Sequence, residues 1–298
     1  MDFPDFMIVG APKSGTSSLF QWLSRNPLLV GSDPKETYFY LDEGFSDYKK
    51  FDLSYFSSDE SKPSLLKFFR GVPSVDKFLF EATAQNLYCE RLIEALSDRS
   101  DVPKIIICLR DPVFRIQSTY EYFTNNNSIE GAHSDFSGYV NDILLNGSNT
   151  GKTIYDNALD WSLYEKWVKK WDEAVGEGNV FLCTFEELVS SPGTVVSDIE
   201  DWLGVPHQPS STSEFVAHNV TKHVKSQFFH RVMKGVGKFV PKSKLKSWVS
   251  SVLFSMNSKS PQRVIPSAEF ASLYEVLSVG YPWLKRRGVN VSKWWTPE

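Results

Sequence analysis

A strand that is apolar along both faces is the feature that most narrows the possible folds of this chain. Residues 104–109, K-I-I-I-C-L, form an almost uninterrupted apolar run, and a helical pattern follows from about Val113 to Phe123. Strands with one solvated face alternate between apolar and polar residues, whereas strands of a parallel sheet are covered on both faces. The run therefore predicts a central strand of a parallel α/β sheet.

The same order of strand and helix recurs along the chain. Short apolar runs at 6–9 and 78–80 are followed by helical patterns at 18–24 and at about 88–96. Repeated units of this kind predict a three-layer α/β fold, in which a parallel sheet is flanked by helices on both sides.

A further apolar run at 180–183 lies between two helical patterns. We interpret the aromatic residues at helical spacing before it as core packing rather than as a ligand site. They are Trp161, Tyr164, Trp167 and Trp171. Segments 42–76 and 124–153 are rich in Ser, Asp, Asn and Gly, which predicts long surface excursions.

Composition excludes several classes of protein. The 298 residues suffice for one large domain, and we treat residues 1–298 as a single domain. The net charge of −4 provides no global positive field, which disfavours a general nucleic-acid binder. Three cysteines are too few for a disulfide framework and favour a reducing, cytoplasmic location. Neither a signal peptide nor a transmembrane run of about 18 apolar residues is expected.

Positive charge is concentrated in one segment near the C-terminal end. Residues 215–268 contain ten basic residues and no acidic one, which leaves 22 basic and 36 acidic residues elsewhere. Three interpretations remain open. The segment could close over an anionic ligand, contact an anionic acceptor or membrane surface, or form a helix with one packed apolar face and one solvated basic face.

A glycine-bearing loop, G-A-P-K-S-G-T-S-S at residues 10–18, joins the first strand to the first helix. In this position backbone N–H groups and the positive end of the helix converge on an anion, and Gly15 lets the backbone approach closely. A Walker A loop would place lysine directly after the second glycine, but Lys13 lies two residues before Gly15. The loop predicts a phosphate site that is poorly suited to metal-assisted phosphoryl transfer.

The buried run at 104–109 is followed by R-D-P at 110–112. An arginine at the carboxyl end of a parallel strand points into the crevice where open α/β sheets bind ligands, and its guanidinium can donate two hydrogen bonds to one phosphate. Ser118, eight positions later, could donate its hydroxyl to the same anion. By itself, the R-D-P motif would indicate only a surface pair of Arg110 and Asp111.

Together these two motifs resemble those of the PAPS-dependent sulfotransferases, whose donor is 3′-phosphoadenosine 5′-phosphosulfate (PAPS). In that family a P-K-[ST]-G-[ST] loop holds the 5′-phosphosulfate, and an arginine and a serine eight positions apart hold the 3′-phosphate. This chain has P-K-S-G-T at residues 12–16 and the pair Arg110 and Ser118. The resemblance implies donor contacts from Lys13, Ser14, Gly15, Thr16, Ser17, Arg110 and Ser118.

Three further segments are similar to family motifs. F-E-A-T-A-Q-N-L-Y at 80–88 is similar to G-E-x-[ST]-P-x-Y, with Phe80 and Ala84 in place of glycine and proline. S-L-Y at 162–164 is similar to G-x-Y, and P-K-E-T-Y-F-Y at 34–40 resembles a segment of the carbohydrate-modifying and bacterial branch. The resemblance implies sulfuryl transfer to a hydroxyl or amine of a carbohydrate or small molecule. It specifies neither the acceptor nor the oligomeric state.

The expected chemistry nominates two catalytic residues. Charge develops on the oxygen of the leaving nucleotide, so a cation fixed beside that oxygen stabilises the transition state, and we assign this role to Lys13. The acceptor must also lose a proton. Glu36 occupies the position of the family's general base, in an aromatic surround that would partly desolvate it. Glu81 and the five histidines are competing bases, and no metal is expected.

The segment N-V-T-K-H-V-K-S at 219–226 resembles one in which a basic residue of bacterial sulfotransferases closes over the donor phosphates. This similarity nominates Lys225, with Lys222, Lys259 and Arg263 as weaker alternatives. Two rival functions also fit part of the pattern. One is a P-loop-like small-molecule kinase, and the other is a nucleotide-binding module without turnover.

Overall fold

Five parallel strands form the sheet that the apolar runs predict. In chain order they are β1 (Phe6–Gly10), β2 (Leu29–Gly31), β3 (Phe78–Glu81), β4 (Lys104–Leu109) and β5 (Val180–Thr184). In space they lie in the order β2-β3-β1-β4-β5. The structure is a computed structural model that describes residues 3–41, 43–47, 65–69, 76–126, 133–147, 153–207, 215, 223–224, 258–259 and 267–297.

Helices connect and cover the strands. They are α1 (Thr16–Leu23), α2 (Glu90–Ser97), α3 (Pro112–Asn126), α4 (Phe136–Asn146), α5 (Tyr164–Val175), α6 (Phe185–Ser190), α7 (Pro192–Leu203), α8 (Ser267–Leu277) and α9 (Tyr281–Arg286). Short 3₁₀ turns occur at Leu65–Phe68, Ala84–Tyr88, Asp160–Ser162, Glu177–Asn179, Ser278–Gly280 and Val291–Lys293. Within the basic segment, β6 (His223–Val224) pairs antiparallel with β7 (Ser258–Lys259).

Alternate residues of the central strands enter two separate cores. Met7 and Val9 of β1 pack on the side of α2 and α5, while Phe6 and Ile8 pack on the side of α1 and α7. Successive side chains of a strand point to opposite faces, and here both faces are covered, so neither face of β1 or β4 tolerates a polar residue. The three-layer α/β fold expected from the sequence is confirmed.

The aromatic residues around α5 belong to the core, as predicted. Trp171 is fully buried, and its indole Nε1 donates a hydrogen bond to the carbonyl of Leu87 at 3.0 Å. Trp161 stacks on Tyr88 with ring centroids 4.2 Å apart. Because the buried indole N–H has a partner, the large surface of Trp171 is buried without leaving its polar group unsatisfied.

One expectation about local structure is wrong. The segment 124–153 was expected to be a surface excursion, but it contains α4, whose Tyr139, Val140 and Ile143 are buried in a third apolar cluster with residues of α3 and α8. The polar residues of this segment hid an apolar stripe that packs only in the folded chain. The helix expected at about 88–96 is present as α2, which follows the 3₁₀ turn at Ala84–Tyr88 and starts at Glu90.

The strand order places one crevice at the carboxyl ends of the central strands. The chain leaves β1 for β2 and β3 on one side and then crosses to β4 and β5 on the other. Ligands of open α/β sheets bind at such a point. The loop at 10–18 follows β1, Glu81 ends β3 and Arg110 follows β4, so the three motifs meet there. In the described part of the chain, no helix has the length and apolar character needed to cross a membrane.

Candidate functional site

The loop between β1 and α1 has the geometry of an anion site. The φ angles of Lys13 and Gly15 are 70° and 88°, both in the left-handed region. Backbone turns of this kind bring successive N–H groups to one side, and the first N–H groups of α1 lack partners within the helix. The hydroxyl of Ser14 is buried and has no hydrogen-bond partner among the residues that the structure describes. The loop thus holds donors that a phosphate-sized anion would satisfy.

Gly15 is required by close packing as well as by its backbone angle. A Cβ atom at this position would lie 3.1 Å from the ring of Phe185 and 3.2 Å from Leu188, both in α6. This helix begins with a capping box, in which Thr184 and Glu187 bond each other's backbone N–H groups. We did not predict α6, although the T-F-E-E sequence carries the capping-box signal.

Lys13 extends from the loop to α3. Its Nζ lies 4.2 Å from the ring centroid of Tyr122. Burial and, to a smaller extent, the charge of Arg110 lower the pKa of Lys13 from 10.5 to about 8, while Glu121 opposes the shift. The lysine is therefore still charged at neutral pH but largely removed from water, which is the condition under which a cation stabilises developing negative charge most strongly. Tyr122 was missed in the sequence, although it lies one helical turn after Ser118.

Arg110 lies beside the same loop. It donates from Nη1 to the carbonyl of Lys13 at 3.0 Å, and its guanidinium lies 4.7 Å from the ring centroid of Phe185. Ser118 is buried on α3, one turn before Tyr122, so the two residues share a helix face. The structure thus brings Arg110 to the loop and places Ser118 on the face of α3 whose Tyr122 meets Lys13.

Two polar residues that are close to Arg110 in sequence, Asp111 and Arg115, stabilise the fold. The carboxylate of Asp111 accepts hydrogen bonds from the N–H groups of Val113 at 2.9 Å and Trp295 at 2.6 Å, which caps α3 and ties the C-terminal residues to it. Burial raises the pKa of Asp111 to about 6. Arg115 is fully buried and donates to the carbonyl of Ala158 at 2.8 Å. These contacts replace the surface pair that R-D-P alone would suggest.

Glu36 is held at both carboxylate oxygens. Lys35 Nζ lies 2.9 Å from Oε1, and the hydroxyl of Tyr38 donates to Oε2 at 2.8 Å. Burial and the neighbouring Glu36 raise the pKa of Tyr38, so its hydroxyl stays a donor. The side chain of Glu36 is 32% exposed. Of the aromatic surround expected from the sequence, Phe39 and Tyr40 pack toward the core and only Tyr38 touches the carboxylate.

Glu81 is engaged in a different way. It is fully buried and accepts hydrogen bonds from the Thr83 N–H at 2.9 Å, the Thr83 hydroxyl at 2.8 Å and the Thr37 hydroxyl at 3.2 Å. Asn86 donates to its other oxygen at 2.5 Å. Burial raises the pKa of Glu81 to about 7, and the bonds from Thr83 and Thr37 oppose that shift. With both oxygens committed to the loop, Glu81 holds the backbone under the site.

The remaining candidates lie elsewhere or outside the described residues. His133 contacts Tyr155 at 3.0 Å and Asp142 at 3.6 Å, and His207 contacts Asp201 at 2.6 Å. Lys225, Lys222 and Arg263 fall outside the described residues, as do the side chains of Lys259 and the other three histidines. Across the described ranges, no group of three His, Cys, Asp or Glu residues could hold a metal ion.

Comparison with known proteins identifies relatives of this chain. The chain is 24% identical over 244 residues to the bifunctional heparan sulfate N-deacetylase/N-sulfotransferase 1 of Caenorhabditis elegans, covering 81% of this chain and 26% of that protein. It is 22% identical over 213 residues to N-deacetylase/N-sulfotransferase 4 of Mus musculus, covering 68% and 23%. The chain thus spans about a quarter of the length of these curated relatives.

A solved structure shares the fold. The sulfotransferase from Alicyclobacillus acidocaldarius superposes with a TM-score of 0.57 at 23% identity, covering 79% of this chain and 92% of that one. The family model for the sulfotransferase domain matches residues 3–264, nearly the whole chain. This match confirms the resemblance seen in the motifs and argues against the kinase alternative: the chain belongs to the sulfotransferase domain family.

Proposed function

We propose that this protein transfers a sulfuryl group from PAPS to an amine or hydroxyl of a carbohydrate acceptor. The observation that carries the proposal is the position of Lys13, a charged and largely desolvated lysine between the anion loop and α3. The buried hydroxyl of Ser14 and the left-handed backbone at Gly15 fit a bound 5′-phosphosulfate. Arg110 and Ser118, on the same side, fit the 3′-phosphate.

The donor supplies an activated sulfuryl group. The protein holds the reactants in position and provides a cation and a general base. In our proposal the acceptor oxygen or nitrogen forms a bond to sulfur while the bond from sulfur to the bridging oxygen breaks. Glu36 takes the acceptor proton, and the bridging oxygen leaves as part of the 5′-phosphate of adenosine 3′,5′-bisphosphate (PAP). Lys13 stabilises the charge that develops on this oxygen, and the loop holds the phosphate in line with the acceptor.

Glu36 suits the role of base better than Glu81. Its side chain is about one-third exposed, so an acceptor can approach it, whereas Glu81 is fully buried. A general base must come within hydrogen-bond reach of the proton that it removes. Among the described residues, the side chain of Glu81 bonds to Thr37, Thr83 and Asn86, which supports a positioning role.

The acceptor class follows from the relatives and belongs to the proposal. Their names describe N-sulfation of heparan sulfate, which points to a carbohydrate and, among its groups, to an amine.

Two further expectations belong to the proposal. Lys225 closes over the donor, and residues 1–298 form a single domain. A cytoplasmic location is supported by the three free thiols.

The test uses the purified chain, ³⁵S-labelled PAPS and a matched pair of polysaccharides. De-N-sulfated heparin offers free amines, and its re-N-acetylated form offers only hydroxyls. We expect label on the first, with formation of an equal amount of PAP, and loss of this transfer in Lys13→Ala. Label on both polysaccharides would show that the sulfuryl group is transferred to hydroxyl groups. Tight PAP binding without label transfer to any carbohydrate or small alcohol, phenol or amine would instead indicate a nucleotide-binding module without turnover.

A further inference from the structure

We propose that Lys35 is a positioning residue that couples the donor loop to the base. In the described part of the chain, only the side chain of Lys35 contacts both Thr16, at the start of α1, and Glu36. The inference rests on the proposed function, because it assumes a phosphate in the loop and a proton acceptor at Glu36. The sequence showed Lys35 only as part of a motif and gave it no role.

On the donor side, Lys35 fixes the direction of a hydroxyl. Its Nζ lies 3.3 Å from Oγ1 of Thr16, which directly follows Gly15. An ammonium group can only donate hydrogen bonds, so the Thr16 oxygen must accept this one. The hydroxyl proton of Thr16 is then directed elsewhere and is available to the anion in the loop. Lys35 thereby prepares Thr16 to donate to the donor phosphate.

On the acceptor side, Lys35 fixes the orientation of the base. Its Nζ lies 2.9 Å from Oε1 of Glu36, while Tyr38 anchors the other oxygen. Because both oxygens have donors, the carboxylate is held in one orientation, and a general base must stay within hydrogen-bond reach of the proton that it removes. The side chain of Lys35 is 17% exposed, so solvent screens this interaction less than at an open surface.

The position of Lys35 also suits the movement of charge during the reaction. When Glu36 takes the proton it becomes neutral, and the 5′-phosphate gains one negative charge. The ammonium of Lys35 contacts both Glu36 and Thr16 of the loop, so in our proposal it stays close to the negative charge while this charge moves from the carboxylate to the phosphate. Its backbone is fixed, because the carbonyl of Lys35 accepts hydrogen bonds from the Ala82 N–H at 3.2 Å and the Ser32 hydroxyl at 3.1 Å.

The first experiment compares Lys35→Met, which keeps the stem but removes the charge, with Lys35→Arg. We expect Lys35→Met to lower kcat on de-N-sulfated heparin about tenfold or more and to weaken PAP binding about three- to tenfold. Lys35→Arg should restore both within about threefold, because a guanidinium also donates to both partners. Lys169→Met is the matched control: Lys169 pairs with Glu165 on α5, outside the site. A Lys35→Met variant with wild-type kcat and PAP affinity would overturn the proposal.

Double-mutant cycles separate coupling from general damage to the fold. If Lys35 acts through Thr16, Lys35→Met should weaken PAP binding little further in a Thr16→Val background. If Lys35 acts through Glu36, Lys35→Met should lower turnover little further in a Glu36→Gln background. Fully additive effects in both cycles would refute the coupling. The PAP cycle needs no acceptor, so it tests Lys35 even if carbohydrate transfer fails, whereas wild-type protein that does not bind PAP would overturn the proposed function and this inference together.

Discussion

Raising the pH through about 8 should neutralise Lys13 and reduce turnover in a defined way. Burial places the pKa of Lys13 at about 8, below its ordinary value of 10.5, so the ammonium is present below pH 8 and is lost above it. About nine-tenths of the free protein carries the charge at pH 7 and about one-tenth at pH 9. If the charged form alone transfers sulfate, kcat/KM for PAPS should fall about tenfold over this interval.

Initial rates with ³⁵S-labelled PAPS, measured between pH 6.5 and 10 at constant ionic strength, test this expectation, because kcat/KM reports ionisations of the free enzyme. Lys13→Arg should be slower overall but should lose the decline near pH 8, since a guanidinium remains protonated throughout the range. Tyr122→Leu replaces the ring by another apolar side chain and removes its attraction for the ammonium, so the decline should shift to lower pH. A decline near pH 8 that persists unchanged in Lys13→Arg would refute the assignment.

PAP should raise the melting temperature more than 5′-AMP does, and Arg110→Ala should abolish most of this difference; equal shifts in the wild-type protein would disprove the 3′-phosphate assignment. Glu36→Gln should reduce turnover about 100-fold or more with PAP affinity within about tenfold, and near-normal turnover would transfer the role of base to Glu81 or a histidine. Since burial raises the pKa of Glu81 from 4.5 to about 7, its ionisation should cost about 3 kcal/mol of stability as the pH rises through this interval; the free energy of unfolding measured in urea should lack this decline in Glu81→Gln. PAP should protect segment 215–268 from limited proteolysis, and Lys225→Ala should weaken PAP binding; unchanged cleavage with salt-sensitive binding to anionic vesicles would instead favour membrane contact.

The sequence alone was sufficient for the fold class and for nominating most residues of the proposed donor site. The apolar runs at β1, β4 and β5 predict buried parallel strands because a covered sheet leaves no solvated face for polar residues. The donor loop and the arginine–serine pair are local motifs with fixed positions after a strand. They comprise Lys13 to Ser17, and Arg110 with Ser118. Their relative placement then follows from parallel strands that end at one edge of the sheet.

Only the tertiary structure distinguishes residues of the same chemical type. Glu36 comes after β2 and Glu81 ends β3, yet Glu36 is partly exposed beside Lys35 whereas Glu81 is buried among Thr37, Thr83 and Asn86. Burial and hydrogen-bond partners decide which carboxylate can meet an acceptor, and both depend on segments more than forty residues apart.

The sequence likewise did not predict the side-chain contacts that position Lys13, Arg110 and Glu36. Tyr122 lies over Lys13, Phe185 lies against Arg110, and Lys35 joins Thr16 to Glu36. Apart from the adjacent Lys35 and Glu36, each contact joins residues from different elements of the fold, and none has a periodic or local signal. The sequence determines which side chains are available at the carboxyl ends of the strands. The packing of α1, α3 and α6 against those ends decides which of them touch, because hydrogen bonds and cation–π contacts act only over a few ångströms.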